Sequence, residues 1–449
     1  MSAPDDWPWM HWARRASERS ALTVNGNVWS WARLAERVEM LAIGFHRQGV
    51  HVGSGVALQA HNSEQALLAY LALLRCGARL LPLNPRLPAT QIAALLPSLN
   101  IDYALTLSGE APVTLPALRV ISESGFLQHG WQKDAIATLT LTSGSTALPK
   151  AAAHTFSAHL ASARGVATTL GFSAEESWLL SLPLFHVSGQ GILWRWLYSG
   201  GRLVLADDSS KQQATFASLV PTQLWRLLRH SELRLRTVLL GGAAIPNELT
   251  RQAEERGVAC WCGYGMTETA STIAAKRADG GPGVGKPLPG HRIKLVNGEI
   301  ALQSAALACG YWRDGDLLPL TDSDGWFFTR DSGVWTPDNL LINGRLDNLF
   351  FSAGEGIQPE QIEAVLAQHP AVEQVFILPQ PDEEYGHRPV ALVALRDKSS
   401  LLQLQAWAVD RLAGIQRPVS WHPLPQLHGG GIKPSRKQLA DWLLQRQKQ

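Results

Sequence analysis

Apolar and polar residues along the chain follow two alternating periods. Some segments repeat apolar side chains at helical spacing, and others are short apolar runs typical of strands. In chain order these segments are 29–49 (helix), 56–60 (strand), 63–76 (helix), 78–83 (strand) and two mixed strand and helix units at 91–107 and 118–121. Strands that alternate with helices predict an α/β fold built on doubly wound sheets.

A polar loop interrupts this pattern between residues 142 and 150. An apolar run at 135–142 predicts a strand before it, and 154–170 has the spacing and alanine content of a helix. The loop contains hydroxyls, a glycine and a lysine: Thr142, Ser143, Gly144, Ser145, Thr146 and Lys150. Many donors and one cation suit a chain of phosphate oxygens. It is not a Walker A loop, because Ala151 stands where that motif has Ser or Thr, and an ordinary surface turn is the alternative.

Three candidate polar residues lie in the apolar segment 178–198. An apolar run predicts a strand that carries His186 and Ser188 at its end, followed by a helix in which Arg195 stands among aromatic side chains. A buried guanidinium needs a partner. Arg195 therefore forms a structural ion pair with an unidentified acid or receives a carboxylate of a substrate, and the residues leave both readings open. A lone histidine such as His186 is more often a core residue.

Three strand-to-turn units predict the edges of a binding pocket. One puts the hydroxyl of Thr222 near a strand end, and in the second the small residues Gly242 and Ala243 let a flat ring approach the backbone. The third contains Tyr264, Gly265, Met266, Thr267 and Glu268. We expect Tyr264 to stack on a base and Glu268 to hold Mg²⁺ through oxygen. An ordinary loop with a core tyrosine is the alternative.

Beyond residue 283 the sequence predicts a β-rich subdomain and then a smaller α+β unit. Within the subdomain, Asp331 is an acid suited to accept both ribose hydroxyls of a nucleotide. A boundary after Arg345 divides the chain into domains of residues 1–345 and 346–449. Near the end of the second domain, a run of glycines forms a flexible arm ahead of Lys433, for which a surface lysine is the ordinary reading.

Composition and charge narrow the class of protein. The 449 residues predict two or three domains, and a formal net charge of +2 indicates neither nucleic acid nor a membrane surface as partner. The cysteines have no paired spacing, so we expect reduced thiols and no zinc site. No secretory signal or membrane-length apolar run is evident. These features predict a cytoplasmic protein without nucleic-acid partners or membrane insertion.

Taken together and in this order, the motifs resemble those of the acyl-adenylate-forming superfamily, which includes acyl-CoA synthetases, luciferases and peptide synthetase adenylation domains. The resemblance covers essentially the whole chain. It implies a large N-terminal domain of doubly wound mixed sheets with a β-rich subdomain, a small mobile α+β C-terminal lid, and ATP, Mg²⁺ and coenzyme A as ligands. The implied roles are catalysis by Lys433, Thr142, Lys150, Glu268 and His186, metal binding by Glu268, a hinge at Asp347, and nucleotide binding by Ser143, Gly144, Ser145, Thr146, Gly242, Ala243, Tyr264, Gly265, Met266, Thr267, Asp331 and Arg345.

The chain departs from the family pattern at four positions. Ala147 and Arg330 stand where the family usually has glycine, Ile432 interrupts the usual Gly-Lys pair at Lys433, and Phe351 replaces a common lysine. Asp331 itself is kept, so the implied ribose contact is retained.

Four segments narrow the resemblance further: 180–192, 194–196, 218–228 and 344–360. They look most like bacterial ligases that join 2-succinylbenzoate to coenzyme A in menaquinone biosynthesis. That resemblance makes Arg195 the partner of the carboxylate that is not activated, with Ser188 and Thr222 also in the acyl site. The expected partners are 2-succinylbenzoate, ATP and coenzyme A, and a homo-oligomer is compatible with the sequence. The alternatives are another aryl or fatty acid-CoA ligase, a carrier-loading adenylation module and an inactive acyl-adenylate binder.

Overall fold

The computed structural model describes residues 4–109, 114–142, 149–205, 213–230, 233–241, 245–396, 400–425 and 435–447. Two large mixed sheets dominate the N-terminal part. The first has the spatial order β14 (Lys286–Pro287), β13 (Ser271–Arg277), β12 (Ala259–Met266), β11 (Thr237–Leu240), β10 (Phe216–Leu219), β8 (Ser177–Leu180), β9 (Arg202–Leu205), β1 (Ser20–Val24) and β2 (Asn27–Ser30). Its strands are parallel from β12 across to β1 and antiparallel at both edges.

The second sheet carries the polar loop. Its spatial order is β18 (Asp316–Leu318), β17 (Gly310–Arg313), β7 (Ala151–Thr155), β6 (Ile136–Leu141), β4 (Arg79–Leu83), β3 (Gly55–Gln59) and β5 (Tyr103–Thr106). Strands β6, β4, β3 and β5 are parallel, whereas β7, β17 and β18 add in antiparallel fashion. Because β6 and β7 form a hairpin, residues 142–150 connect neighbouring strands at one edge of the parallel region.

Helices pack around and between these sheets: α1 (Pro8–Arg15), α2 (Trp31–Arg47), α3 (Glu64–Arg75), α4 (Ala89–Leu95), α5 (Phe156–Leu170), α6 (Val187–Ser199), α7 (Pro221–Leu227) and α8 (Asn247–Glu255). Ser30, Ser63 and Thr155 each accept a backbone N–H at the start of a helix, which fixes where α2, α3 and α5 begin. Helices α5 and α6 pack against each other, and α6 is buried from Gly189 to Ser199. This buried helix brings Arg195 into the core.

The remaining chain forms a β-rich subdomain and a separate C-terminal unit. The subdomain sheet contains β15 (His291–Val296), β16 (Glu299–Ser304), β19 (Phe327–Thr336) and β20 (Asn339–Arg345). The C-terminal unit contains β21 (Phe350–Ser352), β22 (Glu355–Ile357), α9 (Pro359–Leu366), β23 (Val372–Asp382), β24 (Gly386–Leu395), α10 (Leu401–Val409), β25 (Ser420–Pro423) and α11 (Arg436–Gln447). Its apolar clusters consist entirely of residues after 349, so it has its own core.

The predicted fold class is confirmed, whereas several predicted elements were wrong in extent or type. The helix predicted at 154–170 begins at Phe156, because His154 and Thr155 complete β7 against β6. The segment 118–121 is not a strand, since the pairing there is a single bridge between Ala104 and Ala117. The first two residues of the helix predicted at 29–49 belong to β2. Apolar spacing cannot separate a short strand from the helix that follows it directly.

Candidate active site

The base of the polar loop is closed by one backbone hydrogen bond. The N–H of Thr142 donates to the carbonyl of Lys150 at 2.8 Å, at the loop end of the hairpin formed by β6 and β7. The predicted phosphate-binding residues Ser143, Gly144, Ser145 and Thr146 lie outside the described residues. The side chain of Lys150 is exposed, and its Nζ lies 4.8 Å from the centroid of the Tyr311 ring. The lysine is therefore held beside the loop by a cation–π contact.

Glu268 lies beside the same tyrosine. It occupies a short 3-10 helix, Thr267–Thr269, and its Oε1 accepts a hydrogen bond from the Tyr311 hydroxyl at 2.7 Å. Burial, together with the nearby charge of Glu268, raises the pKa of Tyr311, so the phenol keeps its proton and remains a donor. Sequence reasoning missed Tyr311, although Gly310-Tyr311-Trp312 is a short aromatic motif on a strand.

The donor set around Glu268 fits Mg²⁺ bound mainly by substrate oxygens. Among the described residues, no three His, Cys, Asp or Glu side chains come together as a complete metal cage. A magnesium ion usually takes one or two carboxylates and completes its shell with phosphate oxygens and water. Oε2 of Glu268 receives no protein hydrogen bond from the described part of the chain, so it is free to ligate.

Asp331 and Tyr264 form the predicted ribose and base side of the site. Asp331 is 7% exposed, and its two carboxylate oxygens accept from the Tyr264 hydroxyl at 2.5 Å and from Nη1 of Arg345 at 3.4 Å. Burial raises the pKa of Asp331, although these two donors oppose the shift. Each oxygen retains a second lone pair, so the carboxylate keeps acceptor capacity for ribose hydroxyls.

Gly265, Met266 and Thr267 follow Tyr264 on β12 and the turn after it. A Cβ on Gly265 would lie 2.0 Å from the carbonyl oxygen of Ser271, so the bulged pairing of β12 with β13 requires glycine at this position. Tyr264 and Glu268 therefore lie on one continuous segment, which pairs closely with β13.

A cluster of charges lies where the β-rich subdomain meets the C-terminal unit. Asp347 pairs with Arg330 at 2.9 Å and with Arg345 at 3.0 Å. Partial burial opposes ionisation, but the two arginines outweigh it and lower the pKa of Asp347. Arg330 has a φ of +64°, in the left-handed region that favours glycine, which explains why the family usually has glycine there. The hinge role of Asp347 and the division after residue 345 stay predictions.

Arg195 is the most deeply buried charge in the predicted acyl site. It is 1% exposed, and its terminal nitrogens Nη1 and Nη2 donate to the hydroxyls of Ser218 at 3.1 Å and Ser271 at 2.7 Å. Its guanidinium carbon lies 5.1 Å from the centroid of the Trp178 ring. A Cβ on Gly191 would lie 2.6 Å from Oγ of Ser271 and 3.1 Å from Nη2, so this glycine makes room for the serine that binds the guanidinium.

In the described part of the chain, no carboxylate pairs with Arg195 and its Nε has no partner. Burial lowers the pKa of Arg195 from its usual value to about 9, so the group remains charged at neutral pH. The alternative of a structural ion pair therefore finds no acid among these residues. Ser218 on β10 and Ser271 on β13 were missed, because only the folded sheet brings them to α6.

His186, Ser188 and Thr222 lie at the starts of helices α6 and α7. The strand predicted to carry His186 was wrong in extent: β8 ends at Leu180, and His186 is the residue that precedes α6. Burial lowers the pKa of His186, and its buried Nε2 has no partner among the described residues. Ser188 occupies the first turn of α6, and Thr222 occupies the first turn of α7, directly after the strand that carries Ser218. Gly242, Ala243 and Lys433 lie outside the described residues.

Family models match both parts of this architecture. A model described as AMP-binding enzyme matches residues 9–312, and one described as AMP-binding enzyme C-terminal domain matches residues 361–428. The chain belongs to the AMP-binding enzyme family. This AMP-binding enzyme is 52% identical over 445 residues to the 2-succinylbenzoate–CoA ligase of Salmonella typhimurium strain LT2, and the match covers 98% of each chain.

Solved structures give the same likeness. The R195K form of E. coli MenE with bound OSB-AMS has a TM-score of 0.91 to this AMP-binding enzyme at 51% identity, over 98% of each chain. The o-succinylbenzoate coenzyme A synthetase (MenE) from Bacillus subtilis, in complex with ATP and magnesium ion, has a TM-score of 0.86 at 28% identity. That second match covers 97% of this chain and 99% of the other.

Proposed function

We propose that the protein ligates 2-succinylbenzoate to coenzyme A through an acyl-AMP intermediate, with ATP as energy source and AMP and pyrophosphate as products, in menaquinone biosynthesis. The observation that carries the choice of acyl substrate is Arg195, a buried cation whose partners in the described part of the chain are two hydroxyls and an aromatic ring. A substrate with a second carboxylate supplies the charge that the site lacks.

In the first half-reaction, the succinyl carboxylate of the substrate attacks the α-phosphorus of ATP and pyrophosphate leaves. Negative charge builds up on the phosphate oxygens as this occurs. Lys150, at the base of the loop, would neutralise part of this negative charge. Thr142 offers a hydroxyl, and Glu268 would hold the magnesium ion. When bound, the ion screens the phosphate charge and orients the leaving group.

In the second half-reaction, the thiolate of coenzyme A attacks the acyl carbon and expels AMP. We assign Lys433 to the first half-reaction, since a cation on a flexible arm can enter for adenylation and withdraw before the thiol arrives. Asp347, held between Arg330 and Arg345, is the proposed hinge. Asp331, Tyr264 and Arg345 would keep the nucleotide in place through both steps.

Substrate selection rests on the acyl side of the site. The ring carboxylate would pair with the guanidinium of Arg195, which has hydroxyls on one side and the face of Trp178 on the other. Planar guanidinium and planar carboxylate match in a two-point contact. A monocarboxylate would leave Arg195 without its anion, so it should be a poorer substrate.

The ligands in this proposal are small molecules. Among the described residues, none of the helices combines the length and apolar character needed to span a bilayer. Location in the cytoplasm and assembly into a homo-oligomer stay predictions.

The deciding experiment measures pyrophosphate release on a panel of carboxylic acids, with and without coenzyme A. We expect 2-succinylbenzoate to give the highest kcat/KM, and its CoA thioester to form in step with pyrophosphate. A preference for benzoates or fatty acids would favour another CoA ligase. Pyrophosphate release without thioester would indicate a carrier-loading module. Absence of pyrophosphate release with every acid would contradict the proposal that the protein is an adenylating enzyme.

A further inference from the structure

Tyr311 touches two groups of opposite charge with two different parts of its side chain. Its hydroxyl donates to Oε1 of Glu268 at 2.7 Å, and the face of its ring lies 4.8 Å from Nζ of Lys150. The hydroxyl offers a hydrogen to an anion, and the ring face offers its negative quadrupole to a cation. One residue therefore satisfies both charges without allowing them to meet.

Separation matters because these two charges would otherwise be natural partners. Lys150 lies over the face of the Tyr311 ring and Glu268 lies at its hydroxyl, yet neither forms a salt bridge within the described residues. A direct ion pair between them would have to break before the lysine met phosphate and the carboxylate met a metal ion. Such a pair would also tie up the flexible lysine side chain in an unproductive position.

The backbone holds Tyr311 in place from both sides. Tyr311 lies on β17 opposite Ala152 of β7, two residues after Lys150 on the neighbouring strand. Just before β17, the N–H of Ala308 donates to the carbonyl of Glu268 at 2.8 Å, and the N–H of Cys309 donates to the carbonyl of Ala153 at 2.9 Å. The ring is thus fixed both to the strand that follows the polar loop and to the turn that carries the carboxylate.

We propose that Tyr311 is a positioning residue that keeps Lys150 and Glu268 apart and directs them at the triphosphate and its magnesium ion. The ligands rest on the proposed function, whereas the separation of charges is a property of the folded chain. The hydroxyl acts on the metal side, and the ring acts on the lysine side. The two parts are therefore separable by substitution.

The test is calorimetric titration of ATP into the protein without acyl substrate, first in EDTA and then across a magnesium series. Tyr311→Phe removes only the hydroxyl. We expect the magnesium concentration for half-maximal strengthening of ATP binding to rise about tenfold, because outer-shell partners of a metal ligand typically have this effect. ATP affinity in EDTA should stay within about twofold of the original value, because the ring contact with Lys150 is kept.

Tyr311→Leu removes the ring as well. ATP affinity in EDTA should then also fall, by roughly two- to fivefold, because the cation–π contact is lost and Lys150 becomes free to pair with Glu268. The matched control is Tyr103→Phe, which removes a phenol hydrogen bond to the carbonyl of Gly49 at 3.1 Å on the edge strand β5. This control should leave both ATP titrations unchanged.

Glu268→Gln serves as the reference for loss of the metal ligand. A magnesium shift in Glu268→Gln with none in folded Tyr311→Phe would overturn the positioning role and leave the proposed function intact. A matching magnesium shift in both variants supports the positioning role of Tyr311. Absence of a shift in Glu268→Gln would overturn the metal assignment and the role of Tyr311 together, even if thioester formation persisted.

Discussion

Two arginines are buried among the residues that the structure describes, and they differ in what surrounds the charge. Arg75 is 3% exposed and Arg195 is 1% exposed, and each guanidinium lies over an indole ring, 5.5 Å from Trp7 and 5.1 Å from Trp178. Arg75 also makes two hydrogen bonds to Glu39, at 2.8 and 3.0 Å. Nη1 donates to the carbonyl of His129 at 2.9 Å and Nη2 also donates to that of Leu127 at 3.1 Å, so its charge is matched and each of its nitrogens has a partner.

Arg195 has the same burial without the same partners. It donates to two serine hydroxyls, and within the described residues its Nε is unpaired and no carboxylate balances its charge. Burying a charge without a counter-ion costs several kcal/mol, so a fold seldom keeps such a group for stability alone. The comparison teaches that a structural cation folds together with its anion, whereas a cation built for a ligand receives the anion when the ligand binds.

The largest expected effect follows from replacing Arg195 by an unbranched apolar side chain. Arg195→Met should lower kcat/KM for 2-succinylbenzoate roughly 30- to several thousand-fold, because the ring carboxylate is left buried and unpaired. This corresponds to a loss of about 2 to 5 kcal/mol in transition-state stabilisation. The unfolding temperature should stay the same or rise, because an uncompensated charge has been removed. Steady-state kinetics and thermal unfolding of one preparation check both. A large loss of stability would show that Arg195 has a structural anion.

The matched substitution at Arg75 should give the opposite pattern. Arg75→Met leaves Glu39 without its partner and should destabilise the fold by roughly 3 kcal/mol. KM for 2-succinylbenzoate should remain unchanged, because Arg75 has its own carboxylate and does not contact the acyl site. Denaturant unfolding and kinetics below the new transition test this. A raised KM at unchanged stability would remove the distinction between the two arginines.

A smaller effect is expected from pH. Burial lowers the pKa of Arg195 to about 9 in the free protein, and the substrate carboxylate favours the charged form. As pH rises through that value, the free protein loses the proton that binding requires, so affinity should fall about twofold at pH 9 and about tenfold one unit higher.

The contribution of Arg195 to the free energy of unfolding changes with pH in the opposite direction to the affinity. Its folded-state pKa is lowered to about 9 while the unfolded arginine keeps its proton to higher pH, so the unfolding free energy contributed by this group rises as pH increases above about 9. Calorimetric titration of 2-succinylbenzoate from pH 7 to 10 measures the affinity, with an analogue lacking the ring carboxylate as control. A pH-independent affinity would contradict the prediction.

The sequence indicated candidate groups that lie close together along the chain. Tyr264 and Glu268 are four residues apart, and Asp331 lies in a motif of its own, so local pattern and resemblance indicated them. Ser218, Ser271 and Tyr311 were missed, because their partners Arg195 and Glu268 are distant in sequence and only strand pairing brings them together. The start of α5 was misplaced for a similar reason, since β7 exists only through its pairing with β6.

The central claim is that Arg195 receives the ring carboxylate of the substrate, and a double-mutant cycle tests it most directly. Arg195→Lys keeps the charge but loses the planar two-point contact, and KM for 2-succinylbenzoate should rise about tenfold or more. The cycle combines this substitution with an analogue that lacks the ring carboxylate. We expect a coupling of about 1.5 to 3 kcal/mol, so that the analogue loses its disadvantage in the variant. If the two penalties simply add, the guanidinium and the carboxylate do not meet.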